Sequence, residues 1–216
     1  TRFSWRGREV SLRLSGAFHV NNALAAATAA TALGVDEDAV IEGLRLAEPV
    51  PGRFEIVETR TPFTIVVDYA HTPDALRAAL AGAREFAATG RVLCVFGCGG
   101  ERDVYKRPQM GSVAEKCADV VLITSDNPRS EDPMEIVTQI KSGLEHPDAA
   151  IVDPDRRAAI AKAVGLARPG DVVLIAGKGH ETTIEQGGTT VAFDDRIEAA
   201  GAVKSLSDRP WRGQTS

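Results

Sequence analysis

The sequence predicts an α/β fold: a three-layer sandwich around a mainly parallel β-sheet. Three observations carry that prediction. From residue 53 onward, short apolar runs alternate with amphipathic helical stretches, the pattern of βαβ units. The runs Val120-Val121-Leu122-Ile123 and Val172-Val173-Leu174-Ile175 are apolar at every position, as strands buried on both faces are. Right-handed crossovers between such strands place helices on both faces of the sheet.

The elements follow in order. Residues 7–14 alternate polar and apolar, which predicts an edge strand with Val10, Leu12 and Leu14 on one face. An alanine-rich helix is expected from His19 to Leu33, stopped by Gly34, with Asn21 or Asn22 available to cap its start. Asp36 opens a second helix with Val40, Ile41 and Leu44 on its apolar face. The stretch Glu48-Pro49-Val50-Pro51-Gly52 breaks periodicity and reads as a linker. Beyond it, strands are expected at 54–59, 63–68, 91–96, 119–124, 149–152 and 171–176. Helices are expected at 73–88, 107–117, 133–143, 155–167 and 194–205, with a small extra strand around 189–191 and a peripheral tail at 208–212. Residues 53–216 have the makings of a complete domain. Residues 1–50, a sheet edge and two helices, have little core of their own and are expected to be the end of another domain.

Bulk properties narrow the function. The chain has 216 residues and a formal net charge of -5, without the basic face that a nucleic-acid-binding domain shows. No run of 18 apolar residues occurs, so no transmembrane helix is expected, and the first residues lack a signal-peptide core. The cytoplasm is the expected compartment. Three cysteines at scattered spacing argue against a disulfide framework. Four scattered histidines give no zinc pattern.

Candidate site residues gather in loops that follow the predicted strands, where open α/β sheets bind ligands. Asp126-Asn127-Pro128-Arg129 offers a carboxylate, an amide and a guanidinium on a proline-stiffened backbone, a set suited to a zwitterion such as an amino acid. It reads equally as a turn with an Asx cap. The segment 96–103 is glycine-rich and continues into Arg102, Asp103, Lys106 and Arg107; such charges beside a buried strand end are costly unless paired or ligand-bound. It meets neither the dinucleotide fingerprint nor the P-loop pattern. In Asp68-Tyr69-Ala70-His71-Thr72-Pro73-Asp74, Thr72 caps a helix and Pro73 begins it, which leaves Asp68, Tyr69 and His71 unexplained. Gly177-Lys178-Gly179-His180-Glu181 combines free backbone N–H groups with a carboxylate for an ammonium group. Arg53, directly after the linker, reads either as a phosphate contact across two domains or as a surface residue.

In order and spacing, these strings together with Asn21-Asn22-Ala23-Leu24-Ala25-Ala26 and Gly52-Arg53-Phe54-Glu55 resemble the C-terminal part of a Mur ligase, over essentially the whole chain. The resemblance is to the branch that adds meso-diaminopimelate to UDP-N-acetylmuramoyl-L-alanyl-D-glutamate. It implies a Rossmann-like amino-acid-binding domain at 53–216, preceded at 1–50 by the end of the central ATPase domain. It implies ATP and Mg2+ as cofactors and an acyl phosphate intermediate; a monomer is expected. By the resemblance, Arg102, Asp126, Asn127, Pro128, Arg129, Gly177 and Glu181 bind diaminopimelate. Asn22 contacts adenine, and Arg53, Asp68, Tyr69 and His71 contact ribose or phosphate. Lysine-adding relatives usually lack an arginine at the position of Arg129, so its presence favours diaminopimelate. Lysine-adding or folylpolyglutamate-type ligases, a binding module without chemistry and a dinucleotide oxidoreductase are the competing readings. No G-x-x-G-K-[ST] loop occurs in the sequence. The family's P-loop, magnesium ligands and UDP-binding domain are expected before Thr1, and the chain alone is expected to lack ligase activity. Val104-Tyr105 departs from the small or polar residues usual before Lys106-Arg107-Pro108.

Overall fold

The structure, a computed structural model, describes residues 1–14 and 16–207. The tail expected at 208–212 lies outside the described residues.

The chain opens with a hairpin, β1 (Arg2–Trp5) and β2 (Arg8–Ser11), where one strand over 7–14 is expected from the sequence. Arg6 and Gly7, at φ 50° and 76°, supply the two left-handed residues of a tight hairpin turn. Val10 and Leu12 do turn inward. Helix α1 (Ala17–Ala32) starts two residues earlier than expected, so Asn21 and Asn22 lie inside the helix and do not cap it. Helix α2 (Glu37–Leu46) is capped by the Asp36 carboxylate, which accepts from the backbone of Asp38 and Ala39. These elements close over a small core of Trp5, Val10, Ala27 and Val40.

After the linker come β3 (Glu55–Ile56), β4 (Thr64–Asp68), α3 (Pro73–Ala87), β5 (Val92–Phe96), α4 (Lys106–Cys117), β6 (Val120–Ile123), α5 (Pro133–Lys141), β7 (Ile151–Val152), α6 (Arg156–Leu166), β8 (Val172–Ala176), a hairpin of β9 (Thr183–Gln186) and β10 (Thr189–Ala192), and α7 (Asp195–Ser207). The main sheet has the order β3-β4-β8-β5-β6-β7 and is parallel except at β3. Strand β3 is two residues long, against six expected, and pairs antiparallel to β4 at the sheet edge. The extra strand expected around 189–191 is half of the β9–β10 hairpin.

The strands sort their side chains with period two. Val66, Cys94, Phe96 and Leu174 face α3, α4 and α5. Ile65, Val67, Leu93, Val95 and Ile175 face α6 and α7. Both faces are covered, which is why β5 and β8 are apolar throughout. The chain leaves β5 toward α4 on one face and leaves β8 toward α7 on the other, the arrangement at whose carboxyl ends open α/β sheets bind ligands. No helix among the described residues is long and apolar enough to cross a membrane.

Candidate functional site

Three loops meet at the carboxyl edge of the sheet: 97–105 after β5, 124–132 after β6 and 177–182 after β8. The backbone N–H of Gly100 donates to the Asn127 carbonyl at 2.9 Å, and Arg129 Nη1 donates to the Gly100 carbonyl at 2.6 Å. A Cβ built on Gly99 would lie 3.2 Å from Arg129 Nη1 and 3.7 Å from Arg102 Cγ, so both arginines flank the same glycine turn. Arg102 itself is exposed. The loops that carry Arg102, Asp126, Asn127, Pro128, Arg129, Gly177 and Glu181 thus lie side by side at this edge.

Asn127 and Glu181 are joined by Lys178, which is fully buried. Its ammonium group donates to Asn127 Oδ1 at 3.0 Å and to Glu181 Oε2 at 2.8 Å. Asn127 Nδ2 donates to the same Glu181 oxygen at 2.9 Å, and its Oδ1 also accepts from the Glu185 backbone N–H at 3.0 Å. These bonds fix the orientation of the amide. They also hold the Glu181 carboxyl below the usual carboxylate range against the desolvation that pushes it up.

Asp126 is buried, and no hydrogen bond reaches its carboxylate among the described residues. Burial pushes its carboxyl above the usual range. Arg156 and Lys178 pull it down, while Glu181 and Asp195 push it up. Gly177, at φ 119°, passes directly beside it: a Cβ there would stand 2.6 Å from Asp126 Oδ2. Arg129 adopts φ 55°, and its backbone N–H donates to the Glu185 carbonyl at 2.9 Å, which docks the loop against β9. Its Nε lies 3.4 Å from Glu185 Oε2, and the side chain is partly exposed. The site thus presents two carboxylates and two guanidinium groups of unequal solvation, a pattern that can hold a ligand bearing charges of both signs.

The charged continuation of the first loop divides into two roles. Arg107 is fully buried and paired, with Nη1 2.7 Å from Glu131 Oε2 and 2.6 Å from Gln139 Oε1 and Nη2 3.0 Å from the Gly99 carbonyl. It is a strut for the loop. Lys106 Nζ donates to the His71 carbonyl at 2.8 Å and ties the loop to the next candidate group. Val104 and Tyr105 point to solvent, so their departure from the family pattern leaves the loop's struts in place. Cys98 packs against Met110, and burial pushes its thiol up to about 12, which makes it unreactive.

That next group is an aromatic and cationic stack. The Arg53 guanidinium lies 4.4 Å over the Tyr69 ring, which meets the rings of His71 at 4.6 Å and His180 at 5.3 Å. His71 Nδ1 is 2.8 Å from the Tyr69 carbonyl. Asp68 has a structural task here: its oxygens accept from the backbone of Phe54 at 2.7 Å and Ala70 at 2.8 Å. Beside the stack, a cleft of about 410 Å3 runs under the linker, lined in part by Arg13, His19, Pro51, Arg53 and Phe54. Asn22 is exposed on α1, and no hydrogen bond or ring contact joins it to this group among the described residues.

Sequence reasoning did not single out the ion pair beneath the three loops. Arg156, the first residue of α6, and Asp195, the first of α7, are both buried and meet in two contacts of 2.7 Å. They stand 39 positions apart and each reads as an ordinary first-turn residue. The signal available was that 155–157 and 194–196 each carry a full set of charges at a strand-to-helix junction.

The family model for the glutamate ligase domain of Mur ligases matches residues 52–179. The chain belongs to the Mur ligase family. Among curated Mur ligases, it is 49% identical over 199 residues to the UDP-N-acetylmuramoyl-L-alanyl-D-glutamate--2,6-diaminopimelate ligase of Thermosynechococcus vestitus, covering 91% of this chain and 40% of that protein. It is 50% identical over 196 residues to the protein of the same name from Geobacillus kaustophilus, covering 90% and 40%. The chain thus spans about 40% of the length of these relatives. A solved structure bearing the same name superposes with a TM-score of 0.71 at 39% identity, over 93% of this chain and 41% of that one. The UDP-N-acetylmuramate-alanine ligase of Thermotoga maritima shares the fold at 22% identity and a TM-score of 0.62.

Proposed function

We propose that this chain is the amino-acid-receiving part of an ATP-dependent ligase of peptidoglycan precursor synthesis. In that reading the whole protein joins meso-2,6-diaminopimelate to UDP-N-acetylmuramoyl-L-alanyl-D-glutamate in the cytoplasm. The observation that carries the reading is the buried, unbonded Asp126 carboxylate three residues from the partly exposed Arg129 guanidinium. A desolvated carboxylate without a hydrogen bond is costly even beside the Arg156 and Lys178 cations, and a ligand ammonium group relieves that cost. The names of the relatives support the choice of ligand.

In the proposal, Asp126 and Glu181 receive an ammonium group, and Asn127, held by Lys178, adds an amide. Arg129, with Arg102 beside it, receives the distal carboxylate that lysine lacks. Pro128 and Gly177 shape the backbone around the ligand. The chain's work is to orient the attacking amine toward an acyl phosphate and to keep it there. Arg53, Tyr69 and His71 form the flank offered to a nucleotide, with Asn22 as the adenine contact and Asp68 setting the backbone beneath. A full ATP–Mg2+ cradle does not fit the residues present. No P-loop pattern occurs, and no group of three or more His, Cys, Asp or Glu that could hold a metal lies among the described residues. The domain division proposed is 1–50 as the end of the ATP-binding domain and 53–216 as the amino-acid-binding domain, and the chain alone is inactive as a ligase.

Titration calorimetry of the chain with meso-diaminopimelate and with lysine tests the reading. Diaminopimelate is expected to bind at least tenfold tighter, and Arg129→Ala to remove most of that margin. A charge-assisted hydrogen bond contributes about 1.5–3 kcal/mol, or about 10- to 150-fold. Equal affinity of the unaltered chain for both amino acids would sink the assignment.

A further inference from the structure

We infer that Arg156 and Asp195 are a positioning pair, which sets the two ligand loops 124–127 and 176–181 in the geometry that receives the amino acid. The inference rests on the proposed function for the identity of that ligand. It rests on the structure for the rest.

Both side chains are fully buried, with Arg156 Nε and Nη2 each 2.7 Å from an Asp195 oxygen. The donors left over are not spent at random. Nη1 donates to the Ser125 carbonyl at 3.1 Å, and Nη2 donates to the Ala176 carbonyl at 3.0 Å. Ser125 immediately precedes Asp126, and Ala176 immediately precedes Gly177. Strands β6 and β8 are not neighbours in the sheet, because β5 lies between them. One guanidinium therefore spans the end of β5 and fixes the exits of both loops relative to each other. The same cation lies close to Asp126 and favours its charged form.

A buried ion pair of this kind adds little stability over an apolar pair of equal volume. What an apolar pair cannot supply is the two carbonyl contacts and the positive charge beside Asp126. Stability and binding can therefore be separated by mutation. Asp195→Asn leaves Arg156 buried with its partner's charge gone and is expected to lower Tm. The double variant Arg156→Met with Asp195→Leu removes both charges and keeps the volume.

The test compares these variants with the unaltered chain by thermal unfolding, by calorimetry with meso-diaminopimelate, and by the NMR resonances of the Asn127 side-chain amide and the Gly177 backbone amide without ligand. The double variant is expected to stay folded with a Tm lowered less than that of Asp195→Asn, to lose at least tenfold in affinity and to shift both resonances. Unchanged affinity in a folded double variant, or unmoved resonances, would overturn the inference. If the unaltered chain binds no diaminopimelate, the proposed function fails on its own, and the two resonances decide the positioning role. Asp195→Glu, which keeps the charge, is expected to recover part of the affinity that Asp195→Asn loses. Equal loss in both would also count against the pair.

Discussion

At Asp126, the residue proposed to receive the ligand's ammonium group, burial works against the charged carboxylate. Its carboxylate is desolvated, and no hydrogen bond reaches it among the described residues. Its folded-state pKa is raised, so the folded chain holds a proton here more tightly than the unfolded chain does. The contribution of Asp126 to stability is therefore fully present below the ordinary carboxylate range, and it is lost as pH rises through the folded value. Arg156 and Lys178 oppose the shift, and Glu181 and Asp195 reinforce it. Asp126→Asn is expected to raise the stability of the ligand-free chain at pH 7, because it removes a desolvated negative charge. The gain should vanish near pH 3, where both side chains are neutral. The same variant is expected to lose diaminopimelate binding. Thermal unfolding across pH checks the first part, and a fall in Tm at pH 7 would show that Asp126 is held by interior partners.

Residue by residue, the sequence reveals what is chemically unusual and hides what is paired at a distance. Asp126, Arg129 and Glu181 stand out because charged side chains after an apolar strand need a reason. Lys178 stands beside them but looks like one more surface cation. Only the fold shows that it is buried and bridges Asn127 to Glu181. Arg107 illustrates the converse: its charge beside a strand end is explained by Glu131 and Gln139, and not by a ligand.

At the scale of elements, β5, β6 and β8 are legible because burial on both faces forces unbroken apolar runs. The β1–β2 hairpin is less so, because its turn residues Arg6 and Gly7 lie inside an alternating stretch that reads as one strand. Strand β9 is hidden because three of its four residues are polar and exposed, and Ile184 is its single residue in the core. The linker and the loop after β8 pack backbone to backbone. Gly179 has φ 54°, and a Cβ there would meet the Gly52 carbonyl oxygen at 2.6 Å and Tyr69 Cβ at 2.7 Å. Both obstacles are backbone or backbone-proximal and cannot swing away. Gly179→Ala is expected to destabilise by at least about 1–2 kcal/mol from the left-handed conformation alone, with the clash adding to it. It is also expected to disturb the stack of Tyr69 with His180 and Arg53. Chemical denaturation and the His180 ring resonances report the two effects, and a variant within error of the unaltered chain would show that the linker yields instead.

Across the whole molecule, two cores of very unequal size are joined at one seam. The sheet domain buries more than thirty apolar residues in two layers, whereas the N-terminal elements close over Trp5, Val10, Ala27 and Val40. Burial scales with size, so the smaller core supports its elements less well. Leu33, Leu46 and the linker's Val50 are exposed in this part of the chain. The seam has charged as well as apolar character, with His19 placed near Asp68 and burial lowering its pKa. Local opening should follow this division, with the N-terminal elements opening at lower free energy than the sheet. Amide hydrogen exchange is expected to be at least roughly tenfold faster in β1, β2 and α2 than in β5 and β8 under conditions where exchange reports equilibrium opening. Uniform protection through α2 and β5 would mean that the chain unfolds as a single unit, and that the seam at Gly52 and Gly179 transmits stability as well as position.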